Sequence, residues 1–112
     1  MSQLTGKKCL PCEGGVAPLD PESATSLLEQ LHPDWGISDD NLKIEREFRF
    51  PDHYQTIAFV NAIAWISHQE DHHPELRVGY NRCLVSYTTH AIGGLSENDF
   101  ICAAKIDELL PS

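Results

Sequence analysis

The nine residues "LKIEREFRF", 42–50, alternate apolar and charged side chains with a period of two. Leu42, Ile44, Phe48 and Phe50 face one way, while Lys43, Glu45, Glu47 and Arg49 face the other. Such a segment is stable as a half-buried strand, with one face on a core and one in water, the habit of antiparallel sheets. Arg46 falls on the apolar face, and the pattern offers no account of it. Trp35 and Ile37, ahead of "SDDN", predict a short partner strand joined through a turn.

The flanking segments change period from two to 3.6. In "APLDPESATSLLEQLHPDW", Asp20 can cap a helix and Pro21 suits its first position, where no backbone N–H is needed. Ala24, Leu27, Leu28 and Leu31 form one apolar stripe, and Pro33 stops the helix by disfavouring helical geometry at His32. Asp52 can cap a second helix over about residues 53–70, apolar on a broad face through Tyr54, Ile57, Phe59, Val60, Ile63, Ala64 and Ile66. Pro74 ends it and pushes His73 into an extended conformation. Leu76–Tyr80 and "CLVSYTTH" read as two more strands. "AIGGL" is a turn, and Ser96-x-x-Asp99 a capping box opening a last helix with the stripe Cys102, Ala103, Ile106, Leu109 and Leu110. The order α-β-β-α-β-β-α, with short links between neighbouring strands, predicts an α+β fold: a four-stranded antiparallel sheet with three helices packed on one face.

A length of 112 residues suits one domain. Residues 1–17, aperiodic and containing "PCEGG", are expected to be a flexible N-terminal arm, and 18–112 the domain. A net charge of −9, with no basic cluster beyond Lys7-Lys8, argues against direct binding to nucleic acid or to an anionic membrane. No apolar run approaches the roughly 20 residues of a membrane span, and the N-terminus lacks the apolar core of a secretory signal, so a cytoplasmic protein is expected. Cysteines at 9, 12, 83 and 102 then read as reduced thiols. Cys9-x-x-Cys12 could be half of a zinc site, but no second pair has matching spacing.

Histidine is where function shows. Four of the six histidines fall between Ser67 and His90: His68, His72, His73 and His90. His72 and His73 stand where the central helix gives way to the third strand, and His90 at the far end of the fourth. If those strands form a hairpin, the chain goes out and returns, so His90 comes back beside His72 and His73. Imidazoles exchange protons near neutral pH, and such a cluster suits paired acid and base work. His68 and His72 share a helix face, as in zinc-binding His-Glu-x-x-His, but Glu70 is out of place for that motif. Asp99 is both a helix-capping acid and, because the loop from His90 to Ser96 is short, a carboxylate near His90 that could raise its pKa. His32 and His53 are expected to be solvated or hydrogen-bonded surface residues.

These residues resemble the pterin-4a-carbinolamine dehydratases: Asp71-His72-His73-Pro74-Glu75, then Tyr80-Asn81, Thr89-His90, Gly94-Leu95-Ser96 and Asp99. The resemblance spans roughly residues 19–110, and "CLPCEGGVAPL" looks like bacterial members encoded beside phenylalanine hydroxylase. It implies dehydration of 4a-hydroxytetrahydropterin to the quinonoid dihydropterin, in pterin recycling after aromatic amino-acid hydroxylation, with no metal and no cofactor. It further implies His72 and His90 as acid and base, and His73 as a catalytic-site residue that mainly holds the pterin. Pro74, Thr89, Ala91 and Ile92 would line the pocket. Asp99 would support His90, with His68 and Asp71 as further supporting residues. His68 stands where many members carry an acid, and Ile92 where animal members have cysteine. The resemblance also implies a homodimer or tetramer. The alternative function it offers is that of a non-catalytic regulatory or dimerisation partner of a hydroxylase or transcription factor.

Overall fold

The computed structural model describes residues 3–10 and 17–110. Its sheet has four antiparallel strands: β1 (Gly36–Ile37), β2 (Ile44–Arg49), β3 (Glu75–Val78) and β4 (Arg82–Tyr87). Their order is β1-β2-β4-β3, so both expected hairpins form and β2 and β4 pair at the centre. Three helices, α1 (Pro21–Leu28), α2 (His53–Glu70) and α3 (Glu97–Asp107), complete the α+β fold. The alternation in β2 works as its pattern demands. Ile44 and Phe48 are buried, opposite Tyr87 and Cys83 of β4, which are buried too. Leu42 lies ahead of the strand and is exposed. Phe48 and Phe50 flank Phe59 of α2 at centroid distances of 4.6 and 5.1 Å, contacts worth about 0.5–1.5 kcal/mol each beyond the area they bury.

The helix starts follow their caps. Asp20 accepts from Ser23 N at 2.7 Å, and Asp52 from Gln55 N at 2.8 Å. The helix ends differ from expectation. α1 stops at Leu28, ahead of Pro33, although Leu31 still reaches the core. α2 spans 53–70 as expected, but its stop is Asp71, whose left-handed backbone (φ 52°) turns the chain three residues before Pro74. On α2 only Thr56, Phe59, Ile63 and Ile66 are buried, while Tyr54, Ile57 and Trp65 stand exposed, so the broad apolar face is only half used. α3 is buried on nearly all sides from Asn98 to Ala104, and Leu109 and Leu110 fall beyond its end.

Arg46 now has an explanation. Its guanidinium stands 4.2 Å over the Phe48 ring and bonds Asp107 at 2.8 Å, at the far end of α3. The same carboxylate accepts from Trp35 Nε1 at 2.8 Å and from His32 N at 3.1 Å. One acid thus ties β1, β2 and the end of α1 to α3.

The segment expected to be a mobile arm is docked over residues 3–10. Gln3–Gly6 form a single 3-10 turn, and Leu4, 1% exposed, belongs to the core. Lys105 donates to Thr5 O at 3.1 Å, and Lys7 pairs with Glu97 at 3.2 Å. These anchors are side chains of α3 that aperiodic sequence cannot announce. No described helix is long and apolar enough to cross a membrane.

Removing Asp107 strands a largely buried guanidinium and an indole N–H together. Asp107→Ala is expected to cost about 3 kcal/mol, read as a lower urea midpoint with unchanged slope. A midpoint within error of wild type would show that Asp107 is not the tie described.

Candidate active site

β4 leaves the sheet at Tyr87 and continues through Thr88 and Thr89 to a single 3-10 turn, His90–Ile92. The loop closes on itself, because Thr89 N donates to Gly94 O at 2.9 Å. Gly93 takes φ 68°, a backbone that favours glycine, and Gly94 packs so closely on Pro18 that a Cβ there would sit 2.8 Å from the proline ring. Glu75, the first residue of β3, lies opposite Ser86 of β4. His72, His73 and Pro74 therefore enter the sheet beside the chain that leaves it toward His90. The convergence expected from the hairpin is what the fold provides.

His72, His73 and His90 line one cleft of about 550 Å³, within the usual range of small-molecule sites. Beneath the cleft, behind His72, is Asp99, a carboxylate with no exposed surface. Its Oδ1 lies 2.6 Å from His72 Nε2. Its Oδ2 accepts from Thr89 Oγ1 at 2.8 Å and from Ser96 N at 3.0 Å. The Ser96 hydroxyl, 2.7 Å from Thr89 Oγ1, donates to that oxygen, since the threonine proton is already spent on Asp99. The expected capping box is therefore present, with Asp in its acidic position.

The expectation that Asp99 supports His90 is corrected: its second oxygen goes to His72. The N-terminal turn of α3 aims the carboxylate inward, under the end of α2, whereas His90 is exposed on the outer loop. His72 also stacks on Tyr87, with centroids 5.6 Å apart and planes 10° from parallel. Burial works to lower the His72 pKa, but the hydrogen bond and the charge of Asp99 outweigh it, so the value is raised above 6.5. His72 is thus held toward imidazolium, with Nδ1 left to meet a ligand.

The other expected site residues divide. Ala91 and Asp71 line the cleft. Pro74 lines a second cavity of about 280 Å³, which shares His73 and His90 with the first. Thr89 also lines the cleft, though it is largely buried and its hydroxyl is spent on Asp99. Ile92 closes the 3-10 turn and is not part of either wall. His68 lies on the outer side of α2 with its ring 5.4 Å from Trp65, away from the cleft. His32 and His53 are hydrogen-bonded surface residues, His32 Nδ1 accepting from Asp34 N at 3.0 Å and His53 Nδ1 lying 2.9 Å from Tyr80 O.

The opposite wall escaped the sequence. It is built by Lys8, Cys9 and Leu10, with Asn98 of α3 clamping Leu10: its amide donates to Leu10 O at 2.6 Å and accepts from Leu10 N at 3.0 Å. Cys9 N donates to Glu70 at 2.8 Å, and Cys9 Sγ lies 3.5 Å from Cys102 Sγ. The hydrogen bond to Cys102, together with burial, pushes the Cys9 thiol well up, so it is no thiolate at neutral pH. Cys12 falls outside the described residues.

A pKa raised by folding stabilises the protein below the unfolded value, and that stabilisation is lost as pH rises through the folded value. In Asp99→Asn the His72 imidazole is expected to titrate at lower pH than in wild type, followed by NMR of its ring protons. Coincident titration curves would contradict the pairing.

The profile of the pterin 4 alpha carbinolamine dehydratase family matches residues 17–109. A protein of Nitrosomonas eutropha, provisionally named pterin-4-alpha-carbinolamine dehydratase, is 64% identical over 97% of this chain and 95% of its own. A Legionella pneumophila protein with the same provisional name is 55% identical over 97% and 96%. Among solved structures, a transcriptional coactivator/pterin dehydratase from Brucella melitensis superposes with a TM-score of 0.78, at 30% identity over 82% of this chain and 97% of that one. A pterin dehydratase-like protein identified as a RuBisCO assembly factor in the alpha-carboxysome shares the fold, with a TM-score of 0.60 at 24% identity over 70% and 90%. With a cleft built on Asp-His-His-Pro, Thr-His and a capping Asp, and with relatives so similar over nearly their whole length, the chain belongs to the pterin 4 alpha carbinolamine dehydratase family.

Proposed function

We propose that this cleft removes water from 4a-hydroxytetrahydropterin, giving the quinonoid dihydropterin that a reductase returns to use after aromatic amino-acid hydroxylation. The observation that carries the proposal is the His72–Asp99 pair, a part-buried imidazole on a buried carboxylate, opening on a cleft that also presents His73 and His90. Dehydration requires a proton for the hydroxyl leaving C4a and an acceptor for the proton leaving N5. The two balance, so one acid and one base complete the step with no change of oxidation state. His72 is the acid, since Asp99 favours its protonated form and leaves Nδ1 for the substrate. His90, exposed across the cleft, is the base, and His73 holds the ring. Single imidazoles in such roles contribute about 10²–10⁴-fold to rate.

An exposed apolar row on α2 (Tyr54, Ile57 and Trp65), together with the edge position of β3, supports association of the chain with further copies of itself as a dimer or tetramer. A functional association with phenylalanine hydroxylase fits the same recycling role.

With freshly made 4a-hydroxytetrahydropterin, His72→Ala and His90→Ala are each expected to lose about 10²-fold or more in kcat, without sensitivity to chelator. Unchanged rates in both would remove the assignment, and the protein would then be a binding partner only. Light scattering is expected to give a multiple of the 12.5 kDa chain mass, and Trp65→Lys to shift it toward monomer. A wild-type monomer would refute self-association.

A further inference from the structure

The two cavities at the histidines differ in chemistry. His73 and His90 belong to both, so a bicyclic ring held beside them reaches into each. The smaller cavity, beside β3, offers the Glu75 carboxylate and the Lys43 ammonium. These answer the amino and ring N–H donors and the carbonyl of a pyrimidine. The larger cavity holds His72 and ends on the N-terminal segment, where Lys8 stands. Lys8 Nζ donates to Gln69 O at 3.0 Å, at the C-terminal end of α2, where the helix dipole favours a cation. An ammonium carries three donors and this bond uses one. The wall bearing Lys8 is fixed, because Asn98 clamps Leu10 and Glu70 holds Cys9 N.

In a tetrahydropterin the reacting C4a and N5 lie next to C6, the atom that carries the variable substituent. With the pyrimidine in the β3-side cavity, that substituent points past His72 into the arm-side cleft. We propose that residues 8–10 form the subsite for the substituent at C6, and that Lys8 is a specificity residue donating a hydrogen bond to an acceptor there, such as a side-chain hydroxyl. This rests on the dehydratase function proposed above and extends it to a segment that precedes the span matched to the family.

The test compares two substrates with wild type, Lys8→Ala and Lys8→Arg. One is the 4a-hydroxy form of a tetrahydropterin bearing a dihydroxypropyl side chain, and the other its 6-methyl analogue, which has no acceptor to offer. Lys8→Ala is expected to raise KM about tenfold for the first substrate only, with kcat unchanged, and Lys8→Arg to stay near wild type. A change equal for both substrates, or none for either, overturns the subsite. Wild-type turnover of the 6-methyl substrate separates that outcome from failure of the dehydratase function, since a wild type inactive on both substrates would overturn the two together.

Discussion

A carboxylate with no exposed surface must have its charge answered inside the protein, and Asp99 dictates how this end of the molecule is built. Leaving such a charge unpaired costs several kcal/mol, which is more than a domain of this size can readily spare. Its partners come from three directions: His72 from the end of α2, Thr89 from the chain leaving β4, and Ser96 from the start of α3. Each is placed by backbone rather than by reach. Asp71 turns left-handed so that His72 points back under the helix, and the Thr89–Gly94 bridge folds the loop so that Thr89 points inward. The site is preorganised because the carboxylate would not otherwise be tolerated where it is.

Much of this was legible in sequence because it depends on local pattern. Alternation in β2, caps at Asp20, Asp52 and Ser96, and a helical stripe in α1 are short-range signals, and each corresponds to an element found. The hairpin logic that brings His90 to His72 and His73 is also local, for it needs only a turn between adjacent strands. What was not legible depends on direction or on distant partners. Arg46 looked like an intrusion because its acid lies 61 residues away at the end of α3. Asp99 was seen as near the cluster, but which imidazole it meets is decided by the angle at which α3 starts. The N-terminal segment has no period to read, since it is held by side chains of α2 and α3 gripping its backbone.

The resemblance to the family supplied roles that geometry then redistributed. Thr89 lines the cleft as expected but also holds the buried acid, Ile92 sits off the walls, and His68 faces outward against Trp65. The cleft gained a further wall from residues 8–10, part of the expected N-terminal arm. Composition missed this because a segment can be ordered by a buried leucine and a few main-chain hydrogen bonds without any regular structure of its own.

The double duty of Asp99 reaches beyond chemistry into what substitutions the chain can accept. A residue that only caps a helix can be exchanged among several polar types, and a residue that only tunes an imidazole can drift once activity is no longer needed. Position 99 has neither freedom, because the atom that binds Ser96 N and the atom that binds His72 belong to one rigid carboxylate. A descendant that abandoned catalysis for a purely architectural role would be released from one of the two demands, and any polar residue able to accept from Ser96 N and Thr89 could then start α3. The histidines, exposed at His73 and His90, are free to vanish first.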